Sequence, residues 1–170
     1  MALPAVLSNF HVFHNGTSYA GLVTEVELPP LVRSMTPYLA GGMSGPVDLD
    51  NGPDGPIEFG WKCGGLVVDV LRQYGAVRHD AVQIRFAGAY QRADTGEVLA
   101  VEIVVRGRHK EIALGTAKVG EQTEFAIKTT CSYYRLTVNG ATEIECDRLS
   151  MIEIVGGVDR LAQRRAALGL

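Results

Sequence analysis

Residues 124–147 read EFAIKTTCSYYRLTVNGATEIECD, and their alternation decides the fold class. Phe125 and Ile127 alternate with Glu124, Ala126 and Lys128. Tyr134, Leu136 and Val138 alternate with Tyr133, Arg135 and Thr137, and Ile144 and Cys146 with Glu143 and Glu145. A period of two places successive side chains on opposite faces, so each run buries one face and wets the other, the habit of antiparallel sheets. Asn139-Gly140 lies between two of these runs; both residues tolerate positive φ, which predicts a two-residue type I′ hairpin.

The same alternation recurs upstream, where Val82, Ile84 and Phe86 flank Gln83 and Arg85. Asp94-Thr95-Gly96 reads as a turn between runs at 81–90 and 97–106. Further strands are expected at 20–28, through Leu22, Val23, Val26 and Leu28, and at 151–155. Two segments carry helical spacing instead. Leu66, Val67, Val70, Leu71 and Tyr74 recur at intervals of three and four, with Gly64-Gly65 before them and Gly75 after. Residues 158–168 set Val158, Leu161, Ala162 and Leu168 against Arg160, Gln163, Arg164 and Arg165, with positive charge toward the helix C-terminus. The expectation is an all-β core with one internal helix and one C-terminal helix, in a single domain over 1–170.

Composition limits the function classes. The chain has 170 residues, 46% hydrophobic and 21% charged, with 16 Lys and Arg against 19 Asp and Glu and a formal charge of −3. That excludes a disordered or fibrous chain and argues against a basic, sequence-reading nucleic-acid face. The opening MALPAVLSNF lacks the basic and apolar regions of a signal peptide. The longest apolar stretch, around Val98 to Val105, is interrupted by Glu102 and falls short of a membrane helix. Cys63, Cys131 and Cys146 are odd in number and form no CxxC pair; they read as small buried hydrophobes in a reducing compartment.

One segment does not fit a compact sandwich. Ala40-Gly41-Gly42-Met43-Ser44-Gly45-Pro46 leads into Val47-Asp48-Leu49-Asp50, then Asn51-Gly52-Pro53-Asp54-Gly55-Pro56, then Ile57-Glu58-Phe59-Gly60-Trp61. It reads as a hairpin over 41–61 with a Gly- and Pro-rich tip at 51–56, acidic arms, and Gly41-Gly42 as a hinge at its base. It is either a long solvated loop or an arm that reaches a neighbouring subunit, since exposed strand edges pair with other chains.

No constellation for catalysis stands out. His11, His14, His79 and His109 have no further ligands at metal-binding spacing and read as surface histidines. GxSxG and Walker patterns are absent. Asp48, Asp50, Asp54 and Glu58 lack the order of a calcium loop. The run Arg106-Gly107-Arg108-His109-Lys110 has no interleaved aromatics and reads as a solvated loop or a contact between subunits. Trp61 reads as core. No catalytic residue, metal or cofactor is assigned.

The opening MALPAVLSNF, the segment YLAGGMSGPVDLDNG, the stretch VLRQYGAV and the ending MIEIVGGVDRLAQRRAALGL together resemble the major tail tube proteins of contractile-tailed phages. That family includes the tubes of R-type bacteriocins. The resemblance spans the whole chain and implies two packed antiparallel sheets, a sandwich or barrel, with a flanking helix. It also implies six-membered rings stacked into the inner tail tube, a conduit for DNA ejection, in the virion tail. The implied partners are further copies of the chain, a sheath protein, a baseplate or initiator, a tape-measure protein and a tail terminator. Genomic DNA would be met only in transit, and no membrane anchoring is implied. By position, the family's arm falls on Gly41, Gly42, Met43, Val47, Asp48, Asp50, Asp54 and Glu58. Contacts of the C-terminal helix are expected through Arg160, Leu161 and Arg164. The alternative is a tube subunit of a headless contractile particle, a bacteriocin or a type VI secretion-like ring. A small ligand-binding barrel or a hydrolase is a third reading, disfavoured by the missing acid–base–nucleophile set.

Overall fold

In the computed structural model, which describes residues 2–170, twelve strands and two short helices follow one another. The first half holds β1 (Ala5–His14), β2 (Thr17–Ser18), β3 (Val23–Glu27), β4 (Arg33–Tyr38), β5 (Val47–Pro53), β6 (Ile57–Gly64) and α1 (Val68–Leu71). The second holds β7 (Val82–Arg92), β8 (Val98–Ala113), β9 (Glu124–Val138), β10 (Ala141–Asp147), β11 (Ile152–Val155), β12 (Val158–Asp159) and α2 (Ala162–Leu168). Every pairing is antiparallel. The expected mainly β architecture with two antiparallel sheets is present, but the sheets are unequal: one has ten strands and the other only β4 and β5.

β9 is the spine of the large sheet. β8 runs along one side of β9 for nearly its whole length. On the other side, residues 124–131 of β9 pair with β6, whereas residues 133–138 pair with β10. The sheet therefore forks, with β3 and β6 on one limb and β10, β11 and β12 on the other. Asn139 and Gly140 take φ of 48° and 81°, the positive values the predicted turn requires. Irregularities at Arg106/Gly107 and His109/Glu111 bend β8 against β9. Gly107 is needed there, because a Cβ would lie 1.9 Å from the Thr130 carbonyl oxygen. The basic run 106–110 is thus bulged strand, not a solvated loop.

Bending brings β6 over β1, and the enclosed faces make the core. Trp61, Phe59, Phe86, Phe125, Ile57, Ile84 and Ile127 are its largest fully buried apolar side chains. Cys63 and Cys131 lie within it as small hydrophobes, and burial pushes their thiols up to about 11 and about 12. Cys146 is half-buried.

The helices are shorter than their periodicity suggests. Only Val67 and Val70 of the expected 66–74 helix are buried, while Leu66 and Tyr74 face solvent. One helical turn finds cover, and the chain continues as turns through Gln73→Val70 and Tyr74→Leu71 backbone bonds. At the C-terminus, Gly156 and Gly157 take φ of 56° and 81° and turn β11 back onto β12. The helix expected over 158–168 therefore starts only at Ala162, and it ends on a left-handed Gly169.

The arm is also displaced. Residues 47–53 pair backward with 33–38, from Tyr38↔Val47 to Arg33↔Pro53, and not forward with 57–61. Gly41 and Gly42 sit at the tip rather than at a hinge, and 51–56 is the base. The cause is the demand of β6 for cover: Ile57, Phe59, Trp61 and Cys63 are all buried between β3 and β9. On an exposed arm, that apolar area would remain in water.

Candidate assembly surface

β4 and β5 form a free-standing ribbon that packs on itself and only marginally on anything else. Six strand residues at about 3.3 Å each carry its tip roughly 20 Å from its base. Cross-strand partners share a face, so Tyr38, Val47, Thr36 and Leu49 lie on one side, and Met35, Pro37, Asp48 and Asp50 on the other. Tyr38, Leu39, Val47 and Leu49 are each about half exposed or more. The arm is amphipathic, with an apolar face left exposed by the described residues.

Arg33 anchors the base. Its Nε donates to Asp50 Oδ2 at 2.6 Å and its Nη1 to Glu153 Oε1 at 2.7 Å, which ties the arm to β11. Glu153 is buried. The hydrogen bond from Arg33, joined by one from the Gly52 N–H, holds the Asp50 carboxyl below the ordinary carboxylate range. Asn51 Nδ2 donates to Thr36 Oγ1 at 2.5 Å, bracing the ribbon across its strands.

The predicted arm residues separate. Gly41, Gly42 and Met43 form the tip, where the Ala40 N–H points to Met43 Sδ at 3.2 Å. Val47, Asp48 and Asp50 lie on β5. Asp54 is in the connection to β6, its N–H bonded to the Val32 carbonyl at 2.8 Å. Glu58 lies on β6 in the large sheet and is paired with Lys110, so it is no part of the arm. At the other end of the chain, Arg160, Leu161 and Arg164 line a cavity of about 280 Å³ together with Arg33, Asp50 and Glu153. The two segments singled out separately thus meet at the base of the arm. Sequence reasoning missed Arg33, Met35, Tyr38 and Glu153; Pro37, a residue confined to edge strands, was the available signal.

Two histidines also depart from expectation. His14 and His109 are buried, with rings 5.5 Å apart, beside Tyr19 and Trp61. Each Nδ1 has a hydroxyl neighbour, Tyr19 for His14 at 3.3 Å and Thr129 for His109 at 3.0 Å. Among the described residues, neither Nε2 has a hydrogen-bond partner. Burial lowers both rings, and His14 nearby helps lower His109 to about 4. No group of three or more His, Cys, Asp or Glu side chains able to hold a metal occurs among the described residues.

Strand margins remain open as well. From Ala5 to Phe10, β1 pairs with β7 on one side and, among the described residues, with no strand on the other. Among the described residues β3 pairs with β6 alone. In a lone molecule, such margins template pairing with another chain.

Open margins and an uncovered ribbon define a chain shaped to be completed by other chains, a structural subunit. This one belongs to the phage tail tube protein FII family, whose model matches residues 4–169. It is 48% identical to the tail tube protein of Escherichia phage P2 over 172 residues, spanning 100% of both chains. With the major tail tube protein of Serratia phage KSP20 it shares 36% over 174 residues, covering 100% of this chain and 99% of the relative. Its place is accordingly the virion tail. Among solved structures, its fold is similar to a chain of the PVC extracellular contractile injection system sheath/tube terminator, with a TM-score of 0.57 at 10% identity. That match covers 79% of this chain and 95% of the other. A chain of the anti-feeding prophage baseplate gives a TM-score of 0.54 at 10% identity, covering 81% and 97%.

Proposed function

We propose that copies of this chain close into six-membered rings, and that the rings stack into the hollow inner tube of a contractile tail through which DNA passes. The observation carrying this reading is the family match over 4–169 in a chain whose β1 margin and β4–β5 ribbon lack internal partners. Two unlike surfaces in contact, head to tail, close a ring when the rotation per copy divides a full turn; a second contact along the axis gives an open filament. Strand margins hazardous in a monomer are consumed by such a barrel.

A conduit must not hold its cargo. Each phosphate neutralised by Lys or Arg releases counterions and adds affinity, so a cationic wall would retain duplex DNA. On the outward face of β7 and β8 two of the cations are already engaged. Arg85 is paired with Glu102 at 2.7 Å, and Arg106 lies over the Tyr133 ring. With a net charge of −3, the chain suits a passage better than a grip.

The sheath, the baseplate or initiator, the tape-measure protein and the tail terminator are the further partners this role requires. The subunit acts by shape and not by turnover. Electron microscopy and sedimentation of the purified protein, with and without a baseplate nucleus, test the reading. Rings or tubes of uniform bore are expected; a lone monomer under all conditions overturns it.

A further inference from the structure

Four buried polar atoms gather at the His14 ring without a hydrogen-bond partner among the described residues. They are the Nε2 atoms of His14 and His109, Trp61 Nε1 and Gln73 Oε1. The His109 and Trp61 rings lie 5.5 Å and 6.1 Å from that of His14, and the Gln73 side chain is its neighbour. Buried polar groups are ordinarily paired, and each unmet one gains hydrogen bonds on reaching water. Three members sit on strands, His14 on β1, Trp61 on β6 and His109 on β8. Gln73 alone comes from the segment 65–75.

That segment is held by little. Val67 and Val70 are buried and Leu71 partly so, whereas Leu66, Val68 and Tyr74 are each half exposed or more. α1 supplies one helical turn, and its backbone bonds run within the segment, as from Leu71 to Val67 and from Tyr74 to Leu71. Gly65 and Gly75 bracket it with φ of 119° and 73°, a region that glycine enters freely. Few buried contacts and purely local bonds mark a piece of chain that opens at less cost than global unfolding.

We propose that residues 65–75 are an acid-released lid, which swings off the core when His14 and His109 take up protons while the sheets stay folded. The inference goes beyond the tube reading and does not depend on it. A protonated imidazole carries hydrogen on both nitrogens. Tyr19 and Thr129 hydroxyls can accept from the Nδ1 atoms. The Nε2 atoms then need acceptors; the lid offers Gln73 Oε1, and water must supply the rest. Two like charges with ring centres 5.5 Å apart also repel. The ionisable groups around the pair are Tyr19 beyond β2, Cys63 on β6 and Asp69 on α1. Burial raises Tyr19 and Cys63, so both stay neutral in acid. Asp69 favours charged His14, but it is solvent-exposed and lies 3.6 Å from Arg72, so it moderates the push without cancelling it. Burial holds both rings below the ordinary histidine value of 6.5; the closed lid is therefore favoured above that pH and loses the advantage as pH falls toward 4.

Trp61 is the single tryptophan of the chain and reports on the lid directly. Between pH 6.5 and 4, acrylamide quenching of its fluorescence and amide exchange at Arg72, Gln73 and Tyr74 should rise several-fold, with far-UV circular dichroism unchanged. His14→Gln and His109→Gln should each blunt the rise. In the unaltered chain, the ring carbon resonances of His14 and His109 should titrate with the quenching midpoint, which decides the matter even where a variant folds poorly. A flat response, a rise that both variants leave intact, ring midpoints apart from the quenching midpoint, or loss of the sheet signal in the same step overturns the lid. Each of these outcomes leaves the tube reading standing.

Discussion

β5 and β6 are consecutive strands, and they have opposite fates. β5 carries Val47 and Leu49 and is exposed at every position except Gly52; β6 carries Ile57, Phe59 and Trp61 and is exposed at none. β6 is the richer in apolar side chains, and it also has the better supply of neighbours. β6 has β3 on one side and β9 on the other, while β5 has β4 alone. The core region is finished within the chain, whereas the arm carries surface that only another molecule can cover. Stability should therefore reside in the first region and assembly in the second.

The largest effect should come from the finished region. Trp61→Ala removes a fully buried side chain and should cost about 3–5 kcal/mol, read from denaturant unfolding of the monomer. A loss below about 1 kcal/mol would erase the contrast. Acid should also attack this region. The folded pKa of His109 lies near 4, below the unfolded value near 6.5, so between them the unfolded chain binds more protons than the folded one. This stabilising contribution is complete above pH 6.5 and is lost as pH falls toward 4. Burial makes His14 contribute in the same sense, moderated first by the neighbouring Gln73 side chain and then by the Asp69 charge, both of which favour its protonated form. His109→Gln should flatten the slope of melting temperature between pH 6.5 and 4, and an unchanged slope would assign the acid sensitivity elsewhere.

Smaller effects belong to the junction and the arm. Arg33→Ala leaves Glu153 without its partner, but Arg33 is itself partly exposed, so about 1 kcal/mol is expected in unfolding. The same change should loosen the arm, seen as faster amide exchange across β4 and β5. Replacing 36–49 by a two-residue turn should alter monomer stability least, by roughly 0.5 kcal/mol or less. Tubes should nevertheless be lost in electron micrographs. If the shortened chain still elongates, the division of labour between core and arm fails.

How much could be read from residues alone varies along the molecule. The β9–β10 hairpin was fully legible, because Asn139-Gly140 encodes its φ values locally and alternation assigns both faces. The arm was legible as an anomaly but not in its pairing. Prolines and glycines at 51–56 mark a turn, and whether that turn is a tip or a base depends on where Ile57 to Trp61 find cover. The burial of His14 and His109 was invisible, since His14 before Asn15-Gly16 and the basic run 106–110 look like ordinary polar segments.

By itself, the sequence determined the antiparallel β class, the positions of most strands, the turn chemistry and the likeness to tail tube proteins. These follow from side-chain period and backbone preference, which act over a few residues, or from order along the chain. The tertiary structure alone decided the fork of the large sheet at β9, the backward pairing of β5 with β4, and the meeting of Arg33 with Glu153 across 120 positions. Those outcomes turn on competition among distant segments for the same buried area, and that competition is settled only when the whole chain has packed.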